Sequence, residues 1–309
     1  MPVGRQKSRS RIIATLLAHA ALRKSGIVKT QISGEERYRP SLDRVSSDLE
    51  SAVATFQAYL HQLDLHQLGA AVDSLAGARI LEIGPGASVA VALQFVAAGA
   101  RQAVCLDRFV PQQFTEYHAE LYRRLRERLP PEQLARFDGA VDLTARQLNP
   151  ERLAYVYGEF AALCPLVQAE SIDLIVSNAA IEEIYDLEAA IDVMCALLRA
   201  GGRMVHKIDF RDYSLFSNYG YSPLEFLTIP DWIYRPMAES TGQPNRKLID
   251  AYRAKFRELG YPTRFQELTF YNLNESEIRA IRPRLLPRFR ELPGEDFLTE
   301  SAYLVARKT

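Results

Sequence analysis

The chain has 309 residues, and its 38 basic and 38 acidic side chains cancel to a formal net charge of zero at pH 7. A chain of this length can bury a large core without disulfides or metals, and its balanced charge does not indicate nucleic-acid binding. No apolar run reaches membrane-spanning length, no signal peptide is evident, and the three cysteines fall in or beside apolar runs without metal-site spacing. We therefore expect reduced cysteines, no metal site and a cytoplasmic protein.

The first 34 residues carry seven basic side chains and no acidic one. Residues 11–24 within them form a short apolar pattern with basic ends, which predicts a helix. Such a helix is typical of an element that packs on the domain or covers a ligand, of a segment that contacts anionic lipid, or of an organelle leader. We divide the chain into a basic arm and linker, residues 1–45, and a domain over 46–309, and leave open peripheral membrane contact through residues 1–34.

A glycine-rich turn follows the first predicted strand of the domain. Apolar residues recurring every three or four positions predict a helix over 46–68, which leads into a strand over 78–83. Glu82 interrupts that strand one residue before its end. Gly84-Pro85-Gly86 then opens a tight turn into an apolar helix over 87–98. Because glycines have no side chain, a ligand can lie directly on the backbone of this turn.

A second predicted strand, 102–107, ends in Asp107, and an acid at that place can bind both hydroxyls of a ribose. Val89 stands where a dinucleotide site has its third glycine, and Glu82 would repel a pyrophosphate but suits an ammonium group. The segment resembles motif I of the class I S-adenosylmethionine-dependent methyltransferases, with Ser88 in place of the common third glycine of that family.

The resemblance covers roughly residues 70–209 and 245–309. It implies an α/β fold with a Rossmann-like, seven-stranded, mostly parallel sheet, helices on both faces and a reversed C-terminal hairpin over 263–270 and 301–307. It also implies S-adenosyl-L-methionine as the cofactor and a methyltransferase domain over 46–309. The cofactor contacts that it implies are Glu82, Gly84, Pro85, Gly86, Asp107, Arg108, Glu159, Phe160 and Asn178.

The third strand is predicted over 153–157. In the family an acid just after it lies near the adenine amino group. Glu159 fits this place, and Phe160 would pack on the ring. Two alternatives stay open, since Asp142 in the preceding loop could take the role and Glu159 could be a solvated loop acid.

The fourth strand, 172–177, is followed by Asn178, which the resemblance puts near the reacting methyl group. Glu183 stands where related small-molecule enzymes have a histidine. The stretch lacks the Asn/Asp-Pro-Pro-aromatic motif of enzymes that methylate nucleic-acid bases, which disfavours that substrate class. Glu182 and Glu183 could equally cap the helix predicted over 187–198.

The fifth strand, 203–208, ends in a dense group of ionisable residues. His206 can titrate near neutrality, so it is the first candidate for a general base, with Glu183 and Asp209 behind it. Strand alternation places His206 and Ile208 on one face and Asp209 on the other. A structural role for His206 is equally open.

Two insertions interrupt the predicted fold, at 108–150 and 210–245. The first includes a charged helix over 114–129. The second is rich in aromatic residues and leaves from a ligand-binding edge of the sheet, so it is the candidate substrate lid. Asn245 is a candidate helix cap, and Arg211 could alternatively pair with Asp209 or Asp212. The candidate substrate residues are Arg211, Tyr213, Trp232 and Arg246.

These features predict O-methylation of a polar small molecule or of a sugar or glycan. N- or C-methylation of a small molecule, aminopropyl transfer and a non-catalytic cofactor-binding scaffold stay open as alternatives. A nicotinamide oxidoreductase is disfavoured by the missing third glycine. The sequence gives no oligomeric state.

Overall fold

The computed structural model describes residues 7–25, 38–64, 75–109, 114–159, 166–238, 242–292 and 296–309. Seven of the strands in these ranges form one sheet in the order β5-β2-β1-β6-β7-β9-β8. Their bounds are Arg79–Ile83 (β1), Gln102–Asp107 (β2), Leu153–Tyr157 (β5), Ile172–Asn178 (β6), Leu198–Asp209 (β7), Thr263–Phe270 (β8) and Thr299–Arg307 (β9). Two short strands, Val141–Asp142 (β3) and Gln147–Leu148 (β4), pair separately.

Helices cover both faces of this sheet. Their bounds are Arg9–Lys24 (α1), Val45–Gln62 (α2), Ala90–Ala97 (α3), Glu116–Glu127 (α4), Pro131–Asp138 (α5), Leu187–Leu197 (α6), Asp231–Ala238 (α7), Ile249–Glu258 (α8), Glu275–Ile281 (α9) and Pro287–Arg290 (α10). One buried cluster joins the sheet to α2 through α5, and a second joins the opposite face to α1, α6, α7 and α8.

The first five strands across the sheet are parallel, whereas β9 runs antiparallel to both β7 and β8. The predicted fold, with its reversed C-terminal hairpin, is therefore confirmed. Because the carboxyl ends of parallel strands meet at one edge, the loops that follow β1, β2, β5, β6 and β7 converge there.

Most predicted elements agree with the structure to within a few residues, and the differences have local causes. The helix predicted over 46–68 ends at Gln62, and residues 65–74 lie outside the described ranges. Strand β7 starts at Leu198, five residues earlier than predicted, and its pairing shifts register around the glycine pair. Gly201 there has φ +73°, and a Cβ on Gly202 would lie 2.8 Å from the Leu198 side chain.

The insertion at 108–150 packs as part of the domain. Leu121 of α4 and Phe137 of α5 are fully buried in the cluster beneath that face of the sheet. The thiols of Cys105 and Cys195 are buried and free, and Cys164 lies outside the described residues.

Helix α1 packs on the domain, against α7. The Arg9 guanidinium lies 2.9 Å from Oε1 of Glu225, a buried carboxylate that also pairs with Arg284 at 2.6 Å. Among the described residues no helix is long and apolar enough to cross a membrane. Contact of residues 1–34 with a membrane surface stays a prediction.

Candidate active site

A cavity of about 930 Å³ opens at the edge of the sheet where β1, β2, β5 and β6 end. Cavities that bind small molecules span about 300–1,000 Å³, so this one has room for a nucleoside cofactor together with a small acceptor. The turn after β1 and residues 106–109 form one part of its wall. Helix α2, residues 158–159, 178–180 and 183–186, and α6 form further parts.

The glycine turn presents bare backbone to this cavity. Gly84 and Gly86 have φ of +67° and +76°, a region that residues with a side chain rarely adopt. A Cβ on Gly84 would lie 2.6 Å from the Cβ of Ala180. The absence of a side chain at position 84 therefore also allows the turn after β6 to pack closely against this turn. A Cβ on Gly86 would approach nothing closer than Tyr38, at 3.8 Å. Together with Pro85 and Ser88, this turn lines the cavity as the resemblance implies.

Glu82 lines the same cavity from a buried position on β1. Its Oε2 lies 3.8 Å from the Cys105 thiol. Burial raises the pKa of Glu82 to about 8, because a carboxylate loses hydration there. The side chain is thus mostly neutral at pH 7. A ligand ammonium beside it would stabilise the ionised form.

Asp107 ends β2 with its carboxylate held from two sides. Oδ1 accepts the Phe109 backbone N–H at 3.0 Å, and Oδ2 accepts the Tyr38 hydroxyl at 3.3 Å. Burial raises the pKa of Asp107, while these hydrogen bonds oppose the rise. The rings of Tyr38 and Phe109 meet edge to face, 5.8 Å between centres. The carboxylate is therefore fixed at the cavity wall, where a diol could reach it.

Glu159 and Asn178 also line the cavity. The Asn178 amide donates to the Thr55 hydroxyl on α2 at 3.4 Å. Phe160 lies outside the described residues, so its predicted ring contact stays a prediction. Asp142 is exposed and outside the lining, and its carboxylate accepts the backbone N–H groups of Thr144 and Ala145. The structure therefore favours Glu159 over Asp142.

Glu183 and Arg108 form an ion pair in the cavity wall. The Arg108 guanidinium lies 2.7 Å from the Glu183 carboxylate, and both side chains line the cavity. Arg108 follows Asp107 directly, whereas Glu183 belongs to the turn after β6. The ion pair thus connects the end of β2, next to Asp107, to the turn after β6.

His206, the first candidate base, is placed elsewhere. It lies on the buried face that it shares with Ile208, and it is absent from the described cavity lining. Its Nδ1 lies 2.7 Å from the Ser177 hydroxyl, and Nε2 has no partner among the described residues. Burial lowers the pKa of His206 to about 3, so the imidazole is neutral. This placement fits the structural role and removes His206 from the acid–base candidates.

Glu182 is turned away from the cavity into a buried hydrogen-bond network. Its Oε1 accepts the Tyr213 hydroxyl at 2.7 Å and the Asp209 backbone N–H at 3.2 Å. Burial raises the pKa of Glu182 to about 8. The helix-cap alternative for Glu182 and Glu183 is wrong, because Asp186 caps α6 by accepting the Ala189 N–H at 3.4 Å.

Asp209 and Arg211 pair with each other at 2.6 Å, as the alternative for Arg211 had it. The Tyr213 hydroxyl instead donates to Glu182. None of these three residues lines the described cavity. Their placement supports neither the predicted base role of Asp209 nor the predicted substrate roles of Arg211 and Tyr213.

Arg246 and Trp232 also lie outside that lining. Arg246 is buried, donates to the carbonyls of Phe226 and Ile229, and stacks 3.8 Å from the centre of the Tyr234 ring. Trp232 is 77% exposed. Asn245 is not a helix cap, since α8 begins four residues later. Among the aromatic residues of the insertion, Phe210, Phe216, Phe226 and Tyr234 are buried in the core.

Several lining residues were missed at the sequence level. Asp48, Ser51 and Thr55 recur at three- and four-residue steps on α2, beside its apolar stripe. That periodicity was visible but resembles an ordinary solvent-facing side. Arg235 of α7 lines the cavity too and had no distinguishing signal. Further lining residues are Tyr38, Tyr117 and Tyr185. Among the described residues no cluster could hold a metal ion.

Neither the protein-family models nor the curated proteins include a match to this sequence. Three similar solved structures are all of methyltransferases. CurJ carbon methyltransferase is 12% identical with TM-score 0.43, over 96% of this chain and 67% of that one. Phosphoethanolamine N-methyltransferase 2 of Haemonchus contortus, in complex with S-adenosyl-L-methionine, is 13% identical with TM-score 0.42, over 78% of this chain and 52% of that one.

The third is a putative sarcosine dimethylglycine methyltransferase from Galdieria sulphuraria, 14% identical with TM-score 0.46, over 84% of this chain and 87% of that one. The present chain therefore spans about half the length of the Haemonchus protein. All three likenesses are distant, so what each protein binds or methylates is a property of that protein.

Proposed function

We propose that this chain is an S-adenosylmethionine-dependent methyltransferase that acts on a hydroxyl group of a small molecule. The observation that supports it most is the bare glycine turn between the buried carboxylate of Glu82 and the fixed carboxylate of Asp107, all on one cavity.

The described residues fit the chemistry of that cofactor. The Asp107 carboxylate would accept the two ribose hydroxyls, since the protein donors at 3.0 and 3.3 Å orient it at the cavity wall and each oxygen keeps a second lone pair. The backbone of 84–88 would hold the methionine part, and Glu82 would bind the ammonium group. Glu159 would contact the adenine edge, and Asn178, at the end of β6, would lie toward the acceptor.

Once bound, the cofactor supplies a methyl group on a sulfonium, and the S–CH₃ electron pair stays with sulfur as the acceptor oxygen forms the new bond. The chain itself must orient the acceptor and keep water out. Such orientation is worth about 7–11 kcal/mol at best.

Glu183 is the proposed base that takes the hydroxyl proton. It is the one of the three candidate bases that lines the described cavity. Arg108 holds the Glu183 carboxylate at 2.7 Å, which fixes the direction of its oxygens. We therefore propose Arg108 as a positioning residue for Glu183, in addition to its predicted place beside the cofactor.

Calorimetry with S-adenosylhomocysteine tests the cofactor assignment. We expect one-to-one binding to the native chain and much weaker binding to Asp107→Asn. Absence of binding to correctly folded protein would overturn the proposal. Detection of methylated product then separates an enzyme from a non-catalytic scaffold. The methylated atom of that product distinguishes O-methylation from N- or C-methylation.

A further inference from the structure

We propose that this chain docks on an anionic membrane surface through a patch of arginines beside an exposed tryptophan. The patch combines the start of α1, the start of α7 and the segment that ends in α10. None of its residues lines the described cavity. We name it the arginine patch, and its residues are Arg9, Trp232, Arg282, Arg284, Arg288 and Arg290.

The balanced total charge of the chain conceals two strongly basic stretches. Residues 1–34 contain seven basic side chains, residues 278–290 contain five arginines, and neither stretch contains an acidic residue. The rest of the sequence therefore has 26 basic side chains against all 38 acidic ones, a formal charge of −12. A protein with such separated charges is attracted to an anionic surface wherever the fold brings its basic stretches together.

The fold does bring the two basic stretches together, at one buried carboxylate. Oε1 of Glu225 lies 2.9 Å from the Arg9 guanidinium and 2.6 Å from that of Arg284. The Leu286 backbone N–H donates to the Leu227 carbonyl at 3.2 Å, two residues beyond Glu225. The start of α1 and the segment that ends in α10 are therefore neighbours in the structure.

Trp232 lies next to these arginines at the start of α7. Arg288 donates to Oδ1 of Asp231 at 2.8 Å, and Trp232 is the next residue along the chain. Trp232 is 77% exposed. Indole rings are enriched at membrane interfaces, where the ring enters the headgroup region and its N–H stays hydrated. A bilayer against the arginine patch would therefore cover this ring.

The arginine patch keeps positive charge that the protein does not neutralise. The guanidinium groups of Arg282 and Arg290 each donate to a backbone carbonyl at 3.4 Å, and neither pairs with a carboxylate among the described residues. Arg9 and Arg284 share the single carboxylate of Glu225. Lipid headgroups with a negative charge supply the missing partners.

A bilayer suits this patch better than a nucleic acid does. Proteins that bind single-stranded nucleic acid stack successive bases on several aromatic rings along a charged groove. The arginine patch offers one exposed ring, because the nearby rings of Phe226, Tyr234 and Phe289 are buried. Each Lys or Arg near an anionic bilayer strengthens binding about fivefold.

Sedimentation of the full chain with lipid vesicles tests the proposal. We expect binding to vesicles that mix phosphatidylserine with phosphatidylcholine, and about tenfold or more weaker binding to phosphatidylcholine alone. In about 1 M salt the Debye length falls to about 3 Å, so binding should be lost. Trp232 is the only tryptophan in the chain. Its fluorescence should therefore shift to shorter wavelength on the anionic vesicles, and brominated lipid should quench it.

Two variants and a matched control locate the contact. Arg282→Gln combined with Arg290→Gln should weaken vesicle binding about 30-fold. Arg101→Gln combined with Arg257→Gln removes two positive charges from exposed positions outside the patch. This control should change binding by less than about threefold, because a distant exposed charge is screened. Trp232→Ser should weaken binding about tenfold and leave the Tm unchanged, because its ring is largely exposed in the free chain.

The proposal is wrong if the chain binds phosphatidylcholine as tightly as the anionic vesicles, or binds neither. Equal losses of affinity in the two double variants would also overturn it, as would Trp232 emission that stays unchanged on bound vesicles. Complete displacement from the vesicles by single-stranded RNA at the same phosphate concentration would assign the arginine patch to nucleic acid instead.

Discussion

Two polar regions lie at the same edge of the sheet, and they differ in what their side chains face. At the ends of β1 and β2, Glu82 and Asp107 line a cavity. Beyond β7, the groups of Asp209, Arg211 and Tyr213 bind one another or Glu182. In the sequence the region beyond β7 is the richer of the two in ionisable residues. The comparison shows that a cluster of polar residues at the end of a strand identifies a binding site only where the side chains line a cavity.

Two glutamates make the contrast sharper. Burial raises the pKa of both Glu82 and Glu182 to about 8. Glu182 has a hydroxyl and a backbone N–H as donors, and it lies outside the described cavity lining. Glu82 has a weak thiol donor and faces the cavity. The first is a structural group, and the second is suited to a charged ligand.

Glu183→Gln is expected to have the largest effect. Loss of a general base lowers turnover by about 10²–10⁴-fold. Glu182→Gln is the matched control, since it changes the neighbouring glutamate that faces away from the cavity. Initial rates of methylation of an acceptor, compared between the two variants, measure the loss of turnover. Cofactor affinity is measured in parallel. Equal losses in both variants would erase the distinction between the two regions.

Asp107→Asn should come next. A hydrogen bond to a charged group is worth about 1.5–3 kcal/mol, so S-adenosylhomocysteine affinity should fall about 10–150-fold. Asp209→Asn removes an equivalent charge beyond β7 and should leave that affinity within about twofold. Equilibrium dialysis measures both. A comparable loss in the Asp209 variant would show that the second region also contacts the cofactor.

The affinity for S-adenosylhomocysteine should change with pH because of Glu82. In the free chain this carboxyl is protonated below its pKa of about 8, and the ligand ammonium favours its ionised form. Binding therefore releases a proton, and affinity should rise by up to about tenfold per pH unit between pH 6 and 7.5. Calorimetry in two buffers of different ionisation enthalpy counts the proton. Glu82→Gln should abolish the release, and an unchanged release would contradict the assignment.

Glu182 should instead affect the stability of the ligand-free chain. Its native pKa of about 8 exceeds the unfolded value of 4.5, so the native state binds more protons. The free energy of unfolding therefore falls as pH rises from about 4.5 through 8. Calorimetric Tm measured at pH 6 and pH 9 should fall by several degrees less in Glu182→Gln than in the native chain. Parallel Tm curves would show that the native pKa of this carboxyl is not raised above its unfolded value.

The smallest effect is expected for Arg211→Gln. The ion pair with Asp209 is largely exposed on the arginine side, and such pairs contribute about 0–1 kcal/mol. The free energy of unfolding, measured in denaturant, should fall by no more than that. The affinities for S-adenosylhomocysteine and for a methyl acceptor should not change. A loss of affinity for the acceptor would restore Arg211 as a substrate residue.

The sheet and the cofactor half of the site follow from local patterns. Strand and helix periodicities, the glycine turn and Asp107 all act within a few residues of one another. The placement of Glu82 at the cavity follows from its position on β1 directly before the turn.

The acceptor half depends on contacts distant in sequence. His206 appeared catalytic because imidazole titrates near neutrality, but the face it shares with Ile208 is the buried one. Arg246 appeared available for a substrate, yet its guanidinium donates hydrogen bonds to the backbone carbonyls of Phe226 and Ile229. Arg235 gave no signal because its place at the cavity depends on where α7 packs in the fold. Such choices depend on tertiary packing, which residue type and spacing do not encode locally.

The buried Glu225 carboxylate has a consequence for how the chain is made. It binds Arg9 and Arg284, which lie far apart in the sequence. A ribosome that adds about 5–20 residues per second needs tens of seconds to pass from the first of these codons to the second. Helix α1 is synthesised early in that interval, before the residues that it packs against and pairs with. Its place on the domain can therefore be secured only after Glu225 and α7 have been synthesised.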